Sequence, residues 1–433
     1  MMPTIAVALV AILSGAALVV DRLWLDIAHT ELRTAAEAAA LAAGRELAND
    51  DLLREKHHPQ SRVMKARLAA ARIAAENFAI GDPLLLNTDD DGDVRVGRLS
   101  IDEITGESIF IETNENPTTV VVSARRTNDR QWPVDLPFRT LAGPNSADVV
   151  AIAEASLDNH VVGLRSVDNL PIPTLPIAIL SDAMESVRPV SQQSKKKRSN
   201  SHAKTSAESV SSEDKDERDD SLPTWKRDIE QRRGNDRFAF DPIDGTVSEE
   251  QDGIPEIVLR TVSPKSKTPD GNAFVVALRT DLTNDDLRYQ IAEGWTAHDL
   301  EPFDGELMLN HGSLTLTGLR GVDAETVGES LRRMIGQPRA CLLYDQADVS
   351  TDSQVAQLRC IGFVAGRVMA ATEISENVVE IVLQPTVMTS RSAVVASEVS
   401  GENSSASSPT NTEHKESDGH TGNRYLYKLR LTN

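Results

Sequence analysis

Aromatic residues are scarce in this sequence, at 4% Phe, Trp and Tyr, so Val, Ile, Leu and Ala must fill whatever cores it builds. Two cysteines, Cys341 and Cys360, are too few for a disulfide framework or a zinc site of their own. Positive charge is short as well. The chain has 45 Lys and Arg against 66 Asp and Glu, a formal net charge of −21, which excludes nucleic acid and anionic lipid as partners for its bulk. Catalytic signatures are missing too: there is no G-x-S-x-G elbow, no H-E-x-x-H, no Walker loop and no G-x-G-x-x-G fingerprint. Spacing alone therefore assigns no catalytic, cofactor-binding or metal-binding residue, and no small-molecule substrate is evident.

What the sequence does have is one long apolar run at its start. "TIAVALVAILSGAALVV", Thr4 to Val20, carries no charge and makes about 26 Å of helix, slightly short of the roughly 30 Å hydrocarbon core of a bilayer. Leu23, Trp24 and Leu25 extend the apolar surface past Asp21 and Arg22, and Trp suits a membrane interface. No basic segment precedes the run and "SGAALVVD" is a poor cleavage site, so it reads as a membrane helix or uncleaved signal anchor.

No proline or glycine separates the run from Gly44. Leu25, Ala28, Leu32, Ala35, Ala39 and Ala42 follow at three- and four-residue steps, one narrow stripe suited to close helix packing. A second helix is expected in "SRVMKARLAAARIAAENFAI", residues 61 to 80, between Pro59 and Gly81-Asp82-Pro83, with Met64, Leu68, Ala71, Ala75 and Phe78 on one face. An Ala-rich antiparallel hairpin at the membrane surface uses both.

Beyond it strand signals dominate. "DVRVGRLSI", "SIFIET", "TTVVVSARR" and "DVVAIAEASL" are rich in β-branched residues and bounded by turn formers. The same texture returns in "EIVLRTV", "NAFVVALR", "GELMLN", "SLTLTGL", "ACLLYD", "CIGFVAGRVMAATEI" and "VVEIVLQP", with one helix over Ala324 to Gly336. Two stretches have almost nothing to bury: 190 to 222, with basic "KKKR" (Lys195 to Arg198) and acidic "EDKDERDD" (Glu213 to Asp220), and the Ser/Thr/Asn-rich 397 to 423. The expected fold is α+β. Residues 1–83 form the membrane anchor and Ala-rich hairpin, 84–189 a first mainly antiparallel β domain, 190–222 a disordered linker, 223–396 a second β domain with one helix, 397–423 a disordered insert, and 424–433 a terminal strand.

Several groups suggest chemistry and fall short of it. "NTDDDGDVRVGR" puts Asn87, Asp89 and Asp91 at positions 1, 3 and 5 of an EF-hand-like loop with Gly92 at 6, but Arg98 stands where a bidentate Glu is required. An acidic turn entering a strand is the expectation. "DVSTDS", Asp348 to Ser353, comes near a D-x-S-x-S metal loop, with Asp352 in place of the second serine, and reads as a polar hairpin loop. His57 and His58 lie near Asp50 and Asp51 in the interhelical turn, where a surface metal site is conceivable, and His298 reads as a neighbour of a helix or turn cap. Cys341 and Cys360 sit in strand-like segments joined by a polar loop, so the alternatives are a bridge, contributing about 3 kcal/mol, or two buried thiols.

The order of "VVDRLWLD" and "TELRTAAEAAALAAGRELA" resembles the N-terminal domain of TadG-like proteins of the tight-adherence (Flp) pilus system. "NPTTVVVSARR" and "NLPIPTLPIAI" are similar to planctomycete-type members, as are "QIAEGWTAHDL", "MIGQPRACLLYD", "RCIGFVAGRV" and "EIVLQP" in the C-terminal half. The chain departs from the pattern in having only "MMP" where members carry a basic tail, and in lacking the glycine-plus-glutamate cleavage motif of true prepilins. The resemblance implies a single-pass inner-membrane protein with its bulk outside the cytoplasm, structural and not enzymatic, that meets pilus-assembly proteins through the Ala-rich helix. Arg22, Arg33 and Arg45, all after the apolar run, would on their own place the C-terminus inside. The rival classes are an envelope hydrolase whose site converges only in three dimensions, and a metal-dependent adhesion module.

Limited trypsin digestion should cut first near Lys195 to Arg198, because that segment has no apolar residues to bury. Resistance there equal to that of the strands would overturn the linker assignment.

Overall fold

A computed structural model describes residues 2–55, 59–101, 108–138, 145–182, 222–264, 270–309, 311–349, 354–398 and 422–432. His57, His58, Lys195 to Arg198, Asp352 and nearly all of the two polar stretches lie outside these residues. The class is α+β, opened by a long apolar helix and followed by many strands.

Helix α1 (Met2–Leu47) and helix α2 (Pro59–Glu76) come first. The strands that follow are β1 (Val94–Ile101), β2 (Ser108–Glu112), β3 (Thr119–Arg126), β4 (Val149–Asp158), β5 (Val161–Arg165) and β6 (Thr174–Leu180). After the first polar stretch come β7 (Ile257–Arg260), β8 (Ala273–Ala277), helix α3 (Asn284–Ala292), β9 (Glu306–Met308), β10 (Leu314–Leu319) and helix α4 (Ala324–Arg333). The chain then runs through β11 (Pro338–Val349), β12 (Val355–Ser375), β13 (Val378–Pro385), β14 (Met388–Thr389), β15 (Ala393–Val395) and β16 (Leu426–Leu431). The expected strands are all present. Helix α3 was not anticipated, although Thr283 and Asp286 form a capping box at its start, with each side chain bonding the other's backbone.

One sheet has the order β14-β16-β4-β3-β1-β2. Its inner face is made of small residues, Val94, Val96, Val120, Val122, Ala151, Ala153 and Ala155, which share a core with α1 and α2. A second sheet has the order β7-β13-β12-β10-β8-β6-β11, and β12 also pairs with β11. That extra pairing closes β6, β8, β10, β12 and β11 into a small barrel, antiparallel except for β6 beside β11. Closure removes the edges that a short open sheet would present. The 21 residues of β12 serve the barrel with their first part and β13 with their last. A three-stranded sheet, β9-β5-β15, and three two-stranded ones, Phe78–Ala79 with Asp82–Pro83, Val134–Asp135 with Ser146–Ala147 and Ala239–Asp241 with Thr246–Ser248, complete the set among the described residues.

Strand pairing crosses the linear domain map. β6 lies within 84–189, yet it is a barrel strand. β16, expected to rejoin the sheet it follows, instead pairs antiparallel with β4 in the first sheet. Alternation along a strand states which residues face a core, but not which strand lies beside it. The same limit governs the cysteines. Cys341 stands opposite Val364 and Cys360 opposite Tyr344 on adjacent strands, so the two are offset by four positions, about 13 Å at 3.3 Å per residue. A disulfide needs Cα atoms within about 7 Å, so this offset rules the bridge out. Both thiols are free, and burial pushes each up to about 12.

Alkylation of unfolded protein without reductant should modify both Cys341 and Cys360, and reductant should leave the unfolding temperature unchanged. A mass 2 Da lower with neither thiol modified would contradict the register of β11 and β12.

Candidate functional site

The apolar start of α1 is uncovered. Ile5, Val7, Leu9, Val10, Ile12 and Leu13 each expose more than half of their surface, on every side of the helix. By length and composition α1 is a helix able to cross a membrane. Ala17 is the first buried residue of α1 among the described residues, Asp21 Oδ1 accepts from the Phe138 amide at 3.0 Å, and Glu31 accepts from the Ile80 amide at 2.6 Å.

Beyond that point the same helix is buried. Ala28, Leu32, Ala35 and Ala39 of the stripe are sealed from water, while its end members Leu25 and Ala42 are half-buried. A second row is equally buried: Ala36, Ala40, Ala43 and Leu47. Gly44 shows what this row faces, since a Cβ there would lie 2.7 Å from Leu429 Cδ1 and 3.7 Å from Ala155 Cβ. α1 thus packs on the sheet as well as on α2. Two rows of alanine let a helix approach two surfaces at once, which a Leu-rich helix could not do without separating them.

The face assigned to α2 is corrected. Met64, Leu68 and Phe78 are exposed, whereas Val63, Ala66, Ala70 and Ala74 form the buried face. Size misled the assignment. The largest apolar residues suggested the core side, but a surface already lined by alanine accepts small partners.

The turn after α1 fastens that helix to the barrel. Asn49 caps a short 3-10 helix, Asp50–Leu53, by accepting from the Asp51 amide at 3.1 Å. Asp50 then reaches across: Oδ1 accepts from Thr386 Oγ1 and from the Val387 amide, each at 2.7 Å, and Oδ2 pairs with Arg367. The Arg367 guanidinium lies 4.0 Å from the centre of the Phe240 ring. Arg232 donates to the Leu53 carbonyl at 2.7 Å, and Arg54 Nε to the Asp252 carbonyl at 3.0 Å. Asp51 binds Lys65 of α2 at 2.6 Å, and also Arg54. The acidic pair that the sequence offered as neighbours for a metal is thus engaged in joining elements. Nothing in the spacing of Asp50 signals Arg367, which is 317 residues away.

The remaining candidates are held in structural roles. In the Asn87–Asp93 turn, Asn87 Oδ1 accepts from the Asp89 amide at 2.9 Å, Asp93 is gripped by Arg130 at 2.5 and 2.7 Å, and Asp90 pairs with Arg67. A Cβ on Gly92 would sit 2.4 Å from the Asn87 carbonyl oxygen, so the turn is closed on itself. Arg98 lies in β1 opposite Ile111, and Asp91 is exposed. Asp348 is part of β11 opposite Gln357. His298 is exposed, accepting from Arg279 at 2.6 Å through Nε2 and meeting Glu301 at 3.1 Å through Nδ1. Among the described residues no three His, Cys, Asp or Glu side chains converge as a metal site would require.

Replacing Asp50 with Ala should cost about 3–5 kcal/mol in denaturant unfolding, because it strands Arg367 without its carboxylate. Ala70→Leu should cost about 1–3 kcal/mol by overpacking the helix interface, whereas Leu68→Ala on the exposed face should stay within about 0.5 kcal/mol. The reverse order for the α2 pair would contradict the burial of the Ala66, Ala70 and Ala74 face.

No family model, no curated protein and no solved structure matches this chain.

Proposed function

We propose that this chain is a membrane-anchored structural or assembly component of the cell envelope, of the TadG-like type, with its two β-rich parts outside the cytoplasm. The observation that carries the reading is the continuity of α1. Its first part is apolar on every side and uncovered, and its second is walled in by α2 and the sheet with no break between them. A bilayer is the environment that would cover the first part without disturbing the second. The folded mass would then ride on a rigid helix instead of a tether. The family resemblance supplies the orientation and the link to a pilus; the arginines after Val20 favour the opposite side.

In this reading the alanine stripe is occupied by the chain's own α2 and sheet, which leaves the exposed Met64 and Leu68 side of α2 for an assembly partner. A hydrolase would call for a cleft that pairs a carboxylate with a histidine. The cleft between the end of α1, α2 and the last strand has Glu55 and Glu230 in its wall and no histidine.

Full-length protein should pellet with membranes, and a chain lacking residues 1–22 should remain in the supernatant. Protease added to intact spheroplasts should degrade residues 84–433. Protection of that region until lysis would reverse the orientation and remove the envelope-assembly role.

A further inference from the structure

Where the end of α1, the start of α2, the first sheet and the barrel meet, the chain encloses a cleft of about 600 Å³. That is within the range of small-molecule sites. Leu47, Leu53, Leu157, Ile254 and Pro385 give it apolar walls, and Tyr425 and Tyr427 of the last strand form one side. Four arginines, Arg54, Arg62, Arg232 and Arg424, stand in the same wall with only Glu55 and Glu230 against them. In a chain of net charge −21 the wall is rich in arginine, although Arg54 is paired with Asp51 and Asp252.

Arg62 is the unusual member. It is 2% exposed, and its Nε and Nη2 have no hydrogen-bond partner among the described residues. Arg67, Arg126 and Arg367 are similarly buried, and each meets a carboxylate, on Asp90, Asp82 and Asp50. Arg62 meets none among the described residues. Burial pushes it down from the ordinary guanidinium value, opposed by Tyr427 and Asp51. A buried cation without an anion costs stability, and it is tolerated where something else supplies the anion. Arg54 and Arg232 are tied by the turn contacts described above, which fixes the wall around Arg62. Arg424 is exposed at the cleft's edge.

We propose that this cleft binds a small organic anion, a carboxylate or phosphate carried on an apolar body, with Arg62 as the buried anchor and Arg424 at the mouth. A planar guanidinium suits either oxyanion. The leucine, proline and tyrosine walls suit the apolar remainder. Where the anion comes from follows from the anchor reading, on which this one step rests. Leu47 lines the cleft and lies about 40 Å along α1 from Val20, at 1.5 Å per residue. Headgroups extend only some 5–8 Å beyond the hydrocarbon core, so a lipid seated in the same bilayer does not reach it. The ligand is a soluble anion.

The test is a titration of the full chain in nonionic detergent, followed by unfolding temperature and by the fluorescence of the buried Trp225, whose ring centre is 5.1 Å from that of Tyr425. Benzoate and phenyl phosphate should raise the midpoint by several degrees at saturation, while neutral benzamide should not. Arg62→Met should weaken the anions by about 10- to 100-fold and leave the anion-free midpoint unchanged or higher, since it removes an uncompensated charge. If that variant does not fold, Arg424→Gln at the exposed mouth takes its place, with a severalfold weakening expected. Absence of any wild-type response to both anions overturns the site, and so does a folded Arg62→Met that responds like wild type. In discs of neutral lipid, adding anionic lipid should change nothing. A response to anionic lipid but not to the soluble anions overturns the assignment to a soluble ligand while leaving the anchor intact.

Discussion

A single carboxylate holds the two halves of this molecule in register. Asp50 follows α1 closely, and its two oxygens take up the guanidinium of Arg367 within β12 and the hydroxyl of Thr386 and the amide of Val387 just past β13. Without it the helix would still pack on the first sheet, but the barrel would lose its carboxylate contact to the end of that helix. Arg232 and Arg54 brace the same turn from the barrel side, so the turn is both the end of α1 and the hinge pin of the whole assembly. Buried ion pairs of this kind add little net stability, but breaking one is expensive, and that asymmetry makes them good registers.

The second constraint is size. With so few aromatics, the first core relies on Ala and Val, and α1 can therefore touch α2 and the sheet at once, with Gly44 at the tightest approach to Leu429. The barrel is built differently. It concentrates much of the aromatic supply at its centre, with Phe274 edge-on to Tyr344 at 5.5 Å, and Trp225 edge-on to Tyr425 beside the cleft. A thin, close-packed layer next to a thicker core suits a chain in which one part must follow a helix and the other must close on itself.

Charge in this chain is mostly spent on joining elements. Asp93 with Arg130, Asp90 with Arg67, Asp82 with Arg126 and Asp50 with Arg367 each tie segments that the sequence keeps apart. The acidic turns that look like cation sites in sequence are occupied in this way by arginine or by backbone amides. Arg62, buried without such a partner among the described residues, stands out against that pattern, and it lines the cleft beside Tyr425 and Tyr427.

The sequence alone determined the local elements. An uncharged run long enough for a bilayer, alanines at three- and four-residue steps and β-branched alternation are properties of neighbouring residues, so the long apolar helix, most of its stripe and most of the longer strands were legible, while β5, β6 and β15 were not anticipated. Only the tertiary structure decided partners. Which face of α2 is inward depended on the alanines of α1, not on the size of Met64 and Leu68. The membership of β6 in the barrel and of β16 in the first sheet depended on strands more than a hundred residues away, whereas the offset that keeps Cys341 from Cys360 was set by the register of the β11–β12 hairpin. The roles of Asp50 and Arg62 were invisible for the same reason. A charge reveals its work only through the group beside it, and in this chain those groups are brought together by the closing of a barrel and the return of the last strand.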